Sequence, residues 1–150
     1  MMGRMAATSI QTSEIIGVSN VRMAVRGAFH RCPVCGGGHV IRRWFGIVDR
    51  CPTCNLRYER IEGHQLGYIG LNTVVTFGST FVALLVTAII MTPDIRTGPL
   101  LVIALIPAAV FPILLLPSCR LVWTALDLAM RPLRPEEVDP RFIELDPTRR

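Results

Sequence analysis

Four cysteines in two close pairs are the residues of this sequence whose type and spacing can do chemistry. Cys32 and Cys35 form the first pair, and Cys51 and Cys54 form the second, in the pattern C-x2-C-x15-C-x2-C. This spacing is typical of four thiolates that hold one tetrahedral zinc ion, and four protein ligands leave no open position for catalysis. The sequence therefore predicts a structural zinc site. A rubredoxin-like iron site and disulfides are the alternatives for the same sulfurs.

The residues next to the cysteines favour the tight turns that such a site needs. Pro33 and Pro52 follow the first cysteine of each pair and preset the backbone of the turn. Gly36 and Asn55 follow the second cysteine, and Gly and Asn enter the left-handed conformation at the lowest cost. Both turns are therefore expected to aim two sulfurs and the following amides at one metal ion.

The chain between and after the cysteine pairs predicts short β-strands. Residues 39–50 are rich in Val, Ile, Trp and Phe, and residues 56–62 offer one more strand. We therefore assign residues 26–62 to a small N-terminal β zinc ribbon. A unit of about 30 residues cannot bury enough apolar surface to fold alone, so zinc binding is expected to supply its stability. Residues 1–20 are small and polar with scattered apolar side chains, and we expect the N-terminus to be disordered up to residue 25. Residues 21–30 could form a short amphipathic turn with Arg22 and Arg26 on one face, but we prefer to interpret them as a lead-in segment that packs on the ribbon or on the lipid surface.

Two long uncharged segments predict a transmembrane helical hairpin over residues 63–119. The first span covers about residues 69–91, which at 1.5 Å per residue reach about 34 Å, enough to cross the hydrocarbon layer. The second span covers about residues 99–119 and contains three prolines, which membrane helices tolerate where neighbours satisfy the freed carbonyls. The predicted fold class is a membrane α-helical hairpin of two transmembrane helices, with a small N-terminal β zinc ribbon and an amphipathic C-terminal helix.

Uncharged polar side chains recur on one face of the first span. Asn72, Thr76 and Ser79 lie at helical spacing, with Thr80 beside them. Small hydroxyl and amide side chains commonly join membrane helices to one another. We therefore interpret this face as the seam with the second span or with another helix, rather than as a transport path.

The segment after the second span, residues 120–131, has the pattern of an amphipathic helix. Arg120 and Asp127 fall on one polar stripe, and Trp123 is a residue type that favours the water–lipid interface. The pattern predicts an interfacial helix that extends the second span into the headgroups or lies along the membrane surface. A helix that docks in a groove of another protein is the alternative. Residues 132–150, with four prolines and mixed charge, are expected to form a mostly disordered cytoplasmic tail.

The distribution of arginine predicts the orientation. All 16 basic residues are Arg, nine of them precede residue 61, and the loop between the spans contains only Arg96. The positive-inside rule then places both termini and the ribbon in the cytoplasm, which agrees with the reduced thiolates that the site needs. Anionic headgroups are sufficient to explain the net charge of +5. We therefore expect the lipid bilayer as a partner and do not expect nucleic acid.

The sequence contains no set of residues that resembles a catalytic site. Cys119 is the only thiol outside the two pairs, and we interpret it as a packing residue. The three histidines are isolated, and His64, just before the first span, is expected at the surface. Motifs for nucleophilic, phosphate-binding or paired-carboxylate chemistry are missing from the sequence. The sequence therefore predicts that the protein is not an enzyme and has no small-molecule substrate.

The combination of these parts resembles the bacterial domain-of-unknown-function family 983, over roughly residues 26–131. The resemblance depends on the cysteine pairs, the two spans and a set of flanking residues: Arg26, Gly27, Pro117, Ser118, Cys119, Arg120, Trp123 and Asp127. The sequence departs from the family at Asn55, where the family usually has Gly, and at residues 62–64, where an acidic stretch is reduced. The resemblance implies a small multi-pass protein of the bacterial inner membrane. Some relatives are encoded beside cytochrome oxidase genes, which implies a role in respiratory assembly.

Together these features predict a non-enzymatic membrane protein that serves as an accessory, assembly or interaction module of a larger membrane complex. A respiratory oxidase is the complex that the resemblance implies. Metal or redox handling through the four cysteines is the first alternative function. Nucleic-acid binding by a protein tethered to the membrane is the second.

Overall fold

The computed structural model describes residues 10–43, 46–93 and 96–144 of the chain. Within these residues the protein is mostly helical, and the two cysteine pairs lie between the second and third helices. Predictions for Trp44 and Phe45 and for the two chain ends fall outside the described residues. The four helices are α1 (Thr12–Ile15), α2 (Asn20–Ala28), α3 (His64–Met91) and α4 (Thr97–Met130), and short 3-10 turns follow at Pro135–Glu137 and Pro140–Phe142.

Helices α3 and α4 are long and apolar enough to cross a membrane, as the sequence predicts. At 1.5 Å per residue, the 28 residues of α3 reach about 42 Å and the 34 residues of α4 reach about 51 Å. The two helices pack against each other, and their outer surfaces expose large apolar side chains such as Phe77, Phe81, Leu105 and Leu114. An exposed apolar surface of this extent is what a lipid-facing hairpin requires.

Residues 120–131 continue the second span as part of α4, without a break in the helix. The structure corrects the predicted surroundings of this segment. Its polar stripe does not face headgroups, because Thr124 and Asp127 are buried together with the apolar residue Leu121. Other parts of the chain cover one side of this end of α4, whereas Leu126 and Met130 remain exposed, so the segment predicted to be interfacial packs within a folded domain.

Helices α1 and α2 replace the disorder that the sequence predicts up to residue 25. The Ser19 side chain caps α2 by accepting a hydrogen bond from the Arg22 backbone N–H at 3.3 Å. Met23 is completely buried, and a Cβ on Gly27 would lie 2.9 Å from the Leu121 backbone. Some of the apolar side chains that look scattered in the sequence, such as Ile15 and Met23, are therefore part of the buried core.

The segment between α2 and α3 contains only isolated β-bridges among its described residues. Ile41 pairs with Ile47, and Arg50 pairs with Arg57, both in antiparallel fashion. The predicted β zinc ribbon is therefore not confirmed as a structure with strands. Between Arg50 and Arg57 the backbone turns directly through the second cysteine pair, where hydrogen bonds within the turn take the place of a ladder.

Residues 132–144 pack back onto the protein, although the sequence predicts a mostly disordered tail from residue 132. Leu133 and Val138 are buried. The buried Thr12 side chain accepts a hydrogen bond from the Leu133 N–H at 3.0 Å and donates one to the Leu128 carbonyl near the end of α4. The Asp139 N–H donates to the Cys54 carbonyl at 3.0 Å. The tail thus closes the same core that contains the cysteines.

Candidate metal centre

The four cysteines of the two pairs meet at one point. All four sulfur atoms lie within 4.8 Å of one another. The Sγ atoms of Cys32 and Cys54 are 3.6 Å apart, and those of Cys35 and Cys51 are 3.7 Å apart. These separations are far longer than a sulfur–sulfur bond of about 2.05 Å, so the thiols are not paired as disulfides.

The geometry of the sulfurs fits a tetrahedral metal ion. With a metal–sulfur distance of about 2.3 Å, the sulfurs of a regular tetrahedron are about 3.8 Å apart. The observed 3.6 and 3.7 Å are close to this value. Cys32, Cys35, Cys51 and Cys54 can therefore hold one metal ion, and the all-sulfur ligand set is compatible with zinc.

The two cysteine turns have equivalent backbone hydrogen bonds. In the first turn the Gly36 N–H donates to the Cys32 carbonyl at 2.9 Å, and in the second the Asn55 N–H donates to the Cys51 carbonyl at 2.9 Å. Gly36 has a φ of 72° and Asn55 a φ of 62°, which confirms the predicted left-handed positions. The Gly37 N–H points at the Cys35 sulfur at 3.3 Å, as expected for an amide that stabilises a thiolate.

Hydrogen bonds inside the cluster distribute the protons of the thiols unequally. Hydrogen bonding with the Cys32 thiol lowers the pKa of Cys35 and lowers that of Cys51 to about 5. Hydrogen bonding with Cys35 and the other thiols raises the pKa of Cys32 itself. A divalent cation at the centre would offset part of the charge of four thiolates and displace their protons.

Helix α2 is tied to the first cysteine turn by Arg26. Its guanidinium donates to the Val34 carbonyl at 2.7 Å and to the Pro33 carbonyl at 3.3 Å. Gly36 leaves room for this side chain, because a Cβ there would lie 3.1 Å from the Arg26 Nε. The metal centre is therefore attached to a helix that packs on α4.

Arg60 joins the chain that leaves the metal centre to the end of α4 and to the tail. Its side chain, 7% exposed, donates to the Asp127 carboxylate at 3.0 Å and to the Glu137 carboxylate at 2.8 Å. It also donates to the Arg131 carbonyl at 3.1 Å. The sequence predicts headgroup contacts for the arginines before the first span, whereas the structure places Arg60 in a buried ion pair with Asp127, whose side chain is only 3% exposed.

Arg120 and Trp123, the other predicted interface residues of segment 120–131, lie where α4 meets α3. Arg120 forms an ion pair with Glu59 and lies over the Tyr68 ring at 5.2 Å from its centre. The Trp123 ring occupies the space where a side chain on Gly67 would be, so this glycine permits the close approach of the two helices. These interface candidates thus contact the protein itself.

The predicted seam residues of α3 face α4 in part. The Asn72 side-chain N–H donates to the Pro112 carbonyl at 2.9 Å, and the Cys119 thiol lies 3.7 Å from the Asn72 Oδ1. Thr76 and Thr80 are buried, whereas Ser79 is half-buried and donates to carbonyls of its own helix. Thr80 therefore belongs to the inner face more than Ser79 does.

His64, predicted to be at the surface, is buried at the start of α3. Its Nε2 lies 3.5 Å from the Thr124 hydroxyl, and its ring meets the Trp123 ring edge to face at 6.5 Å. His30 and His39 are exposed, and neither takes part in the cluster of four sulfurs. The candidate ligand set therefore consists of the four cysteines, as predicted, and includes no histidine.

Sequence reasoning missed the residues that attach the metal centre to the helices. Arg26, Thr12 and Glu137 make buried or half-buried polar contacts with partners from 8 to 121 positions away. For Asp127 the sequence predicts a pair with Arg131, four positions on, and this contact is present at 3.9 Å. The closer, buried partner Arg60 lies 67 positions away and has no signal in the sequence.

Comparison with protein-family models, with curated proteins and with solved structures finds no match to this chain.

Proposed function

We propose that this protein is a non-enzymatic integral membrane protein that acts as an accessory or assembly module of a larger membrane complex. One observation carries the proposal. The metal centre, α1, α2, the end of α4 and the tail share a single core of buried residues. A metal-stabilised domain is thereby fixed to the helices that are long enough to cross a membrane, which suits a docking element held at a set position on a bilayer.

The domain around the cysteines, in this proposal, is a reduced zinc ribbon. The ion would be held by Cys32, Cys35, Cys51 and Cys54. The isolated bridges Ile41–Ile47 and Arg50–Arg57 lie at the positions expected for the two hairpins of a ribbon. Bound zinc supplies folding free energy, worth about 10–16 kcal/mol in small zinc-finger peptides. The role of the metal is therefore structural.

The membrane location follows from the exposed surfaces of α3 and α4, and the orientation from the exposed arginines. Arg60 and Arg120 are neutralised by carboxylates, so they no longer support the positive-inside argument. Exposed arginines remain on the side of the metal centre in larger number than Arg96 alone on the other: Arg22, Arg31, Arg42, Arg43, Arg50, Arg57, Arg131 and Arg134. We therefore propose a plasma-membrane protein with both termini cytoplasmic.

Membership of the bacterial domain-of-unknown-function family 983 is part of the proposal. The residues that carry the resemblance have structural partners at one junction. Gly27 lies against α4, Trp123 against α3, and Asp127 is paired with Arg60. A respiratory oxidase as the larger complex depends on this family resemblance alone.

The test is to purify the tagged protein at native expression level in mild detergent and to identify what is recovered with it. Stoichiometric recovery of a membrane complex supports the proposal, and the Cys51→Ser variant should lose that complex while staying in the membrane. Recovery of the protein alone, together with unchanged respiratory complexes in a deletion strain, would contradict it. The Cys119→Ser variant, whose thiol lies outside the metal centre, is the matched control.

Metal or redox handling is the second candidate, and the exposure of one ligand favours it. Cys35 is half-buried, whereas the other three ligands are buried. A metal that exchanges would leave through this side. In that case a chelator should remove the metal reversibly without unfolding the domain, and a rubredoxin-like iron site would show thiolate-to-iron absorption in the visible range.

A further inference from the structure

Helix α2 is apolar on two opposite faces, and the described residues of the chain cover only one of them. Met23 and Gly27 lie against α4 and are buried. On the outer face Val21 is 74% exposed, Val25 49% and Phe29 74%. These three residues recur every fourth position, so they form one continuous stripe along the helix and its C-cap. A contiguous exposed apolar stripe on a folded domain indicates a surface that something covers.

The C-terminal end of α2 lies at the level where α4 leaves the folded domain. The Ser118 hydroxyl donates to the Ala28 carbonyl at 3.2 Å and lies 3.0 Å from the His30 Nε2. On α4, buried residues become frequent from Pro117 onward, whereas Leu114 is exposed and belongs to the apolar stretch. Phe29, next to Ala28, is therefore placed at the boundary between the apolar surface of α4 and the domain.

The direction of α2 places its two ends at different positions along the axis of α4. Gly27 meets α4 at Leu121, and Ala28 meets it at Ser118, so α2 descends toward the apolar part of α4 as its residue numbers rise. Val21 lies eight positions before Phe29, which in a helix is about 12 Å. The stripe therefore runs from the level of the domain, at Val21, down to the start of the apolar surface, at Phe29.

The charges beside the stripe are positive. Arg22 and Arg31 are exposed, and neither forms an ion pair with another residue in the described part of the chain. With Val21, Val25 and Phe29 they border a groove of about 690 Å³. Unpaired guanidinium groups beside an apolar stripe match the anionic phosphates above an acyl-chain layer.

We propose that the outer face of α2 is a membrane-surface contact, in which Phe29 and Val25 enter the acyl-chain boundary and Arg22 and Arg31 bind anionic lipid headgroups. The occupant is lipid because the stripe is continuous with the apolar surface of α4 at Ser118 and is flanked by cations. This inference rests on the proposed insertion of α3 and α4. It adds a third contact with the bilayer, which would fix the tilt of the metal-centred domain over the membrane.

The experiment places a single tryptophan reporter in the full-length, zinc-loaded protein in anionic lipid nanodiscs. The background carries Trp44→Phe and Trp123→Phe, and metal analysis first establishes that it keeps one zinc per chain. Phe29→Trp tests the stripe. Phe77→Trp, on the exposed face of α3, is the control for the spans, and Met130→Trp, about 18 Å along α4 from Ser118, is the control for the aqueous side. Quenching by lipids brominated near the glycerol end is compared with quenching by aqueous acrylamide.

We expect lipids brominated near the glycerol end to quench Phe29→Trp at least roughly half as strongly as they quench the span reporter Phe77→Trp. The reason is that interfacial helices bury their apolar face by about 5–10 Å. Val21→Trp should be quenched less than Phe29→Trp, and Met130→Trp should respond to acrylamide alone. If Phe77→Trp is quenched by lipid but Phe29→Trp behaves like Met130→Trp, the α2 contact is wrong while the spans stand. If Phe77→Trp is itself reached by acrylamide and not by lipid, the proposed insertion fails as well.

Headgroup recognition has a separate readout. Replacing anionic lipid by zwitterionic lipid, or introducing Arg22→Gln and Arg31→Gln together, should reduce the lipid quenching of Phe29→Trp and increase its quenching by acrylamide. Arg43→Gln, an exposed arginine outside the groove, is the matched control and should change neither. Equal quenching in anionic and zwitterionic lipid would contradict the role of the two arginines.

Discussion

Replacing Arg60 by Met should loosen the metal-centred domain from α4, and the contacts of Arg60 allow the loss to be estimated. Asp127 is 3% exposed, and its other cationic partner is the exposed Arg131 at 3.9 Å. Without Arg60 this carboxylate is left nearly unpaired in the core. Removing one partner of a buried ion pair costs about 3–5 kcal/mol, and we expect a loss in this range.

Two related variants should show smaller effects for reasons that the structure gives. Asp127→Asn leaves Arg60 bonded to Glu137 at 2.8 Å and to the Arg131 carbonyl at 3.1 Å, so we expect a loss of about 1–2 kcal/mol. The double variant Arg60→Met with Asp127→Leu removes both charges. Because apolar replacements of buried pairs are often neutral, it should recover most of the stability lost in Arg60→Met.

The assay is the release of zinc from the protein in mild detergent as guanidinium is added. Zinc release reports on the small domain, whereas the helices in the detergent micelle resist the denaturant. Arg57→Met is the matched control: Arg57 is exposed, three residues away, and forms no ion pair within the described residues, so its midpoint should equal that of the parent. A parental midpoint for Arg60→Met, or a double variant weaker than both single variants, would refute the reasoning.

The remaining predictions concern other contacts. Gly27→Ala should cost about 1–3 kcal/mol in the zinc-release assay, because the new Cβ would lie 2.9 Å from the α4 backbone, whereas Gly78→Ala, with open space around it, should not shift the midpoint. Cys51→Ser should lose the metal and gain protease sensitivity between α2 and α3, and Cys119→Ser should retain one zinc per chain by metal analysis. Asn72→Leu removes a 2.9 Å hydrogen bond between α3 and α4 and should weaken their association by about 0.6–1.7 kcal/mol in a steric-trapping assay. Acid should release the metal, because protons compete with the ion for the four thiolates, and a zinc-sensitive dye can follow the release as the pH falls. In the metal-free cluster, hydrogen bonding with Cys32 lowers the pKa of Cys51, so this thiolate contributes stability above the ordinary thiol pKa and loses it as the pH falls. Equal retention of the metal at neutral and at strongly acidic pH would contradict this set of thiolates.

The parts of the structure that could be predicted from sequence are those whose physics is local. The left-handed positions at Gly36 and Asn55 depend on the residues immediately beside the cysteines, and both are observed. The two long apolar helices follow from the hydrophobicity of consecutive residues, which adds up along the segment. The meeting of the four sulfurs also follows, because the two turns have equivalent ligand spacing and one ion requires all four.

The parts that could not be predicted depend on contacts between distant residues. Arg60 and Asp127 are separated by 67 positions, and Thr12 and Leu133 by 121. The apolar residues Ile15 and Met23 are too few to show a helical period in the sequence, yet both are buried by the end of α4. Disorder was predicted for their segment because composition counts apolar residues without knowing which surface they will meet.

The polar stripe at the end of α4 shows why the direction of an amphipathic helix is ambiguous. Arg120 and Asp127 on one face predict water or headgroups as neighbours, and the pattern is the same when a protein supplies the opposite charges. In this structure Glu59 and Arg60, adjacent in the sequence, provide one anion and one cation for those two residues. The matching pair therefore lies in the segment just after Cys54, where the sequence shows Glu next to Arg but not which residues they contact.

Because α4 is long, the contacts of Glu59 and Arg60 with its C-terminal end join the domain to the apolar helices. Its 34 residues reach about 51 Å, whereas a hydrocarbon layer is about 30 Å thick, so about 20 Å of the helix would remain for the domain in the membrane arrangement that we propose. In that proposal the same helix both crosses the membrane and supports the domain that contains the four cysteines. Loss of the metal would free Arg60 and the covering segments and expose Leu121, Ala125 and Leu128 at the end of α4. The contacts between Asn72 and α4 lie below that level and do not depend on the metal, so the hairpin should outlast the domain when zinc is removed.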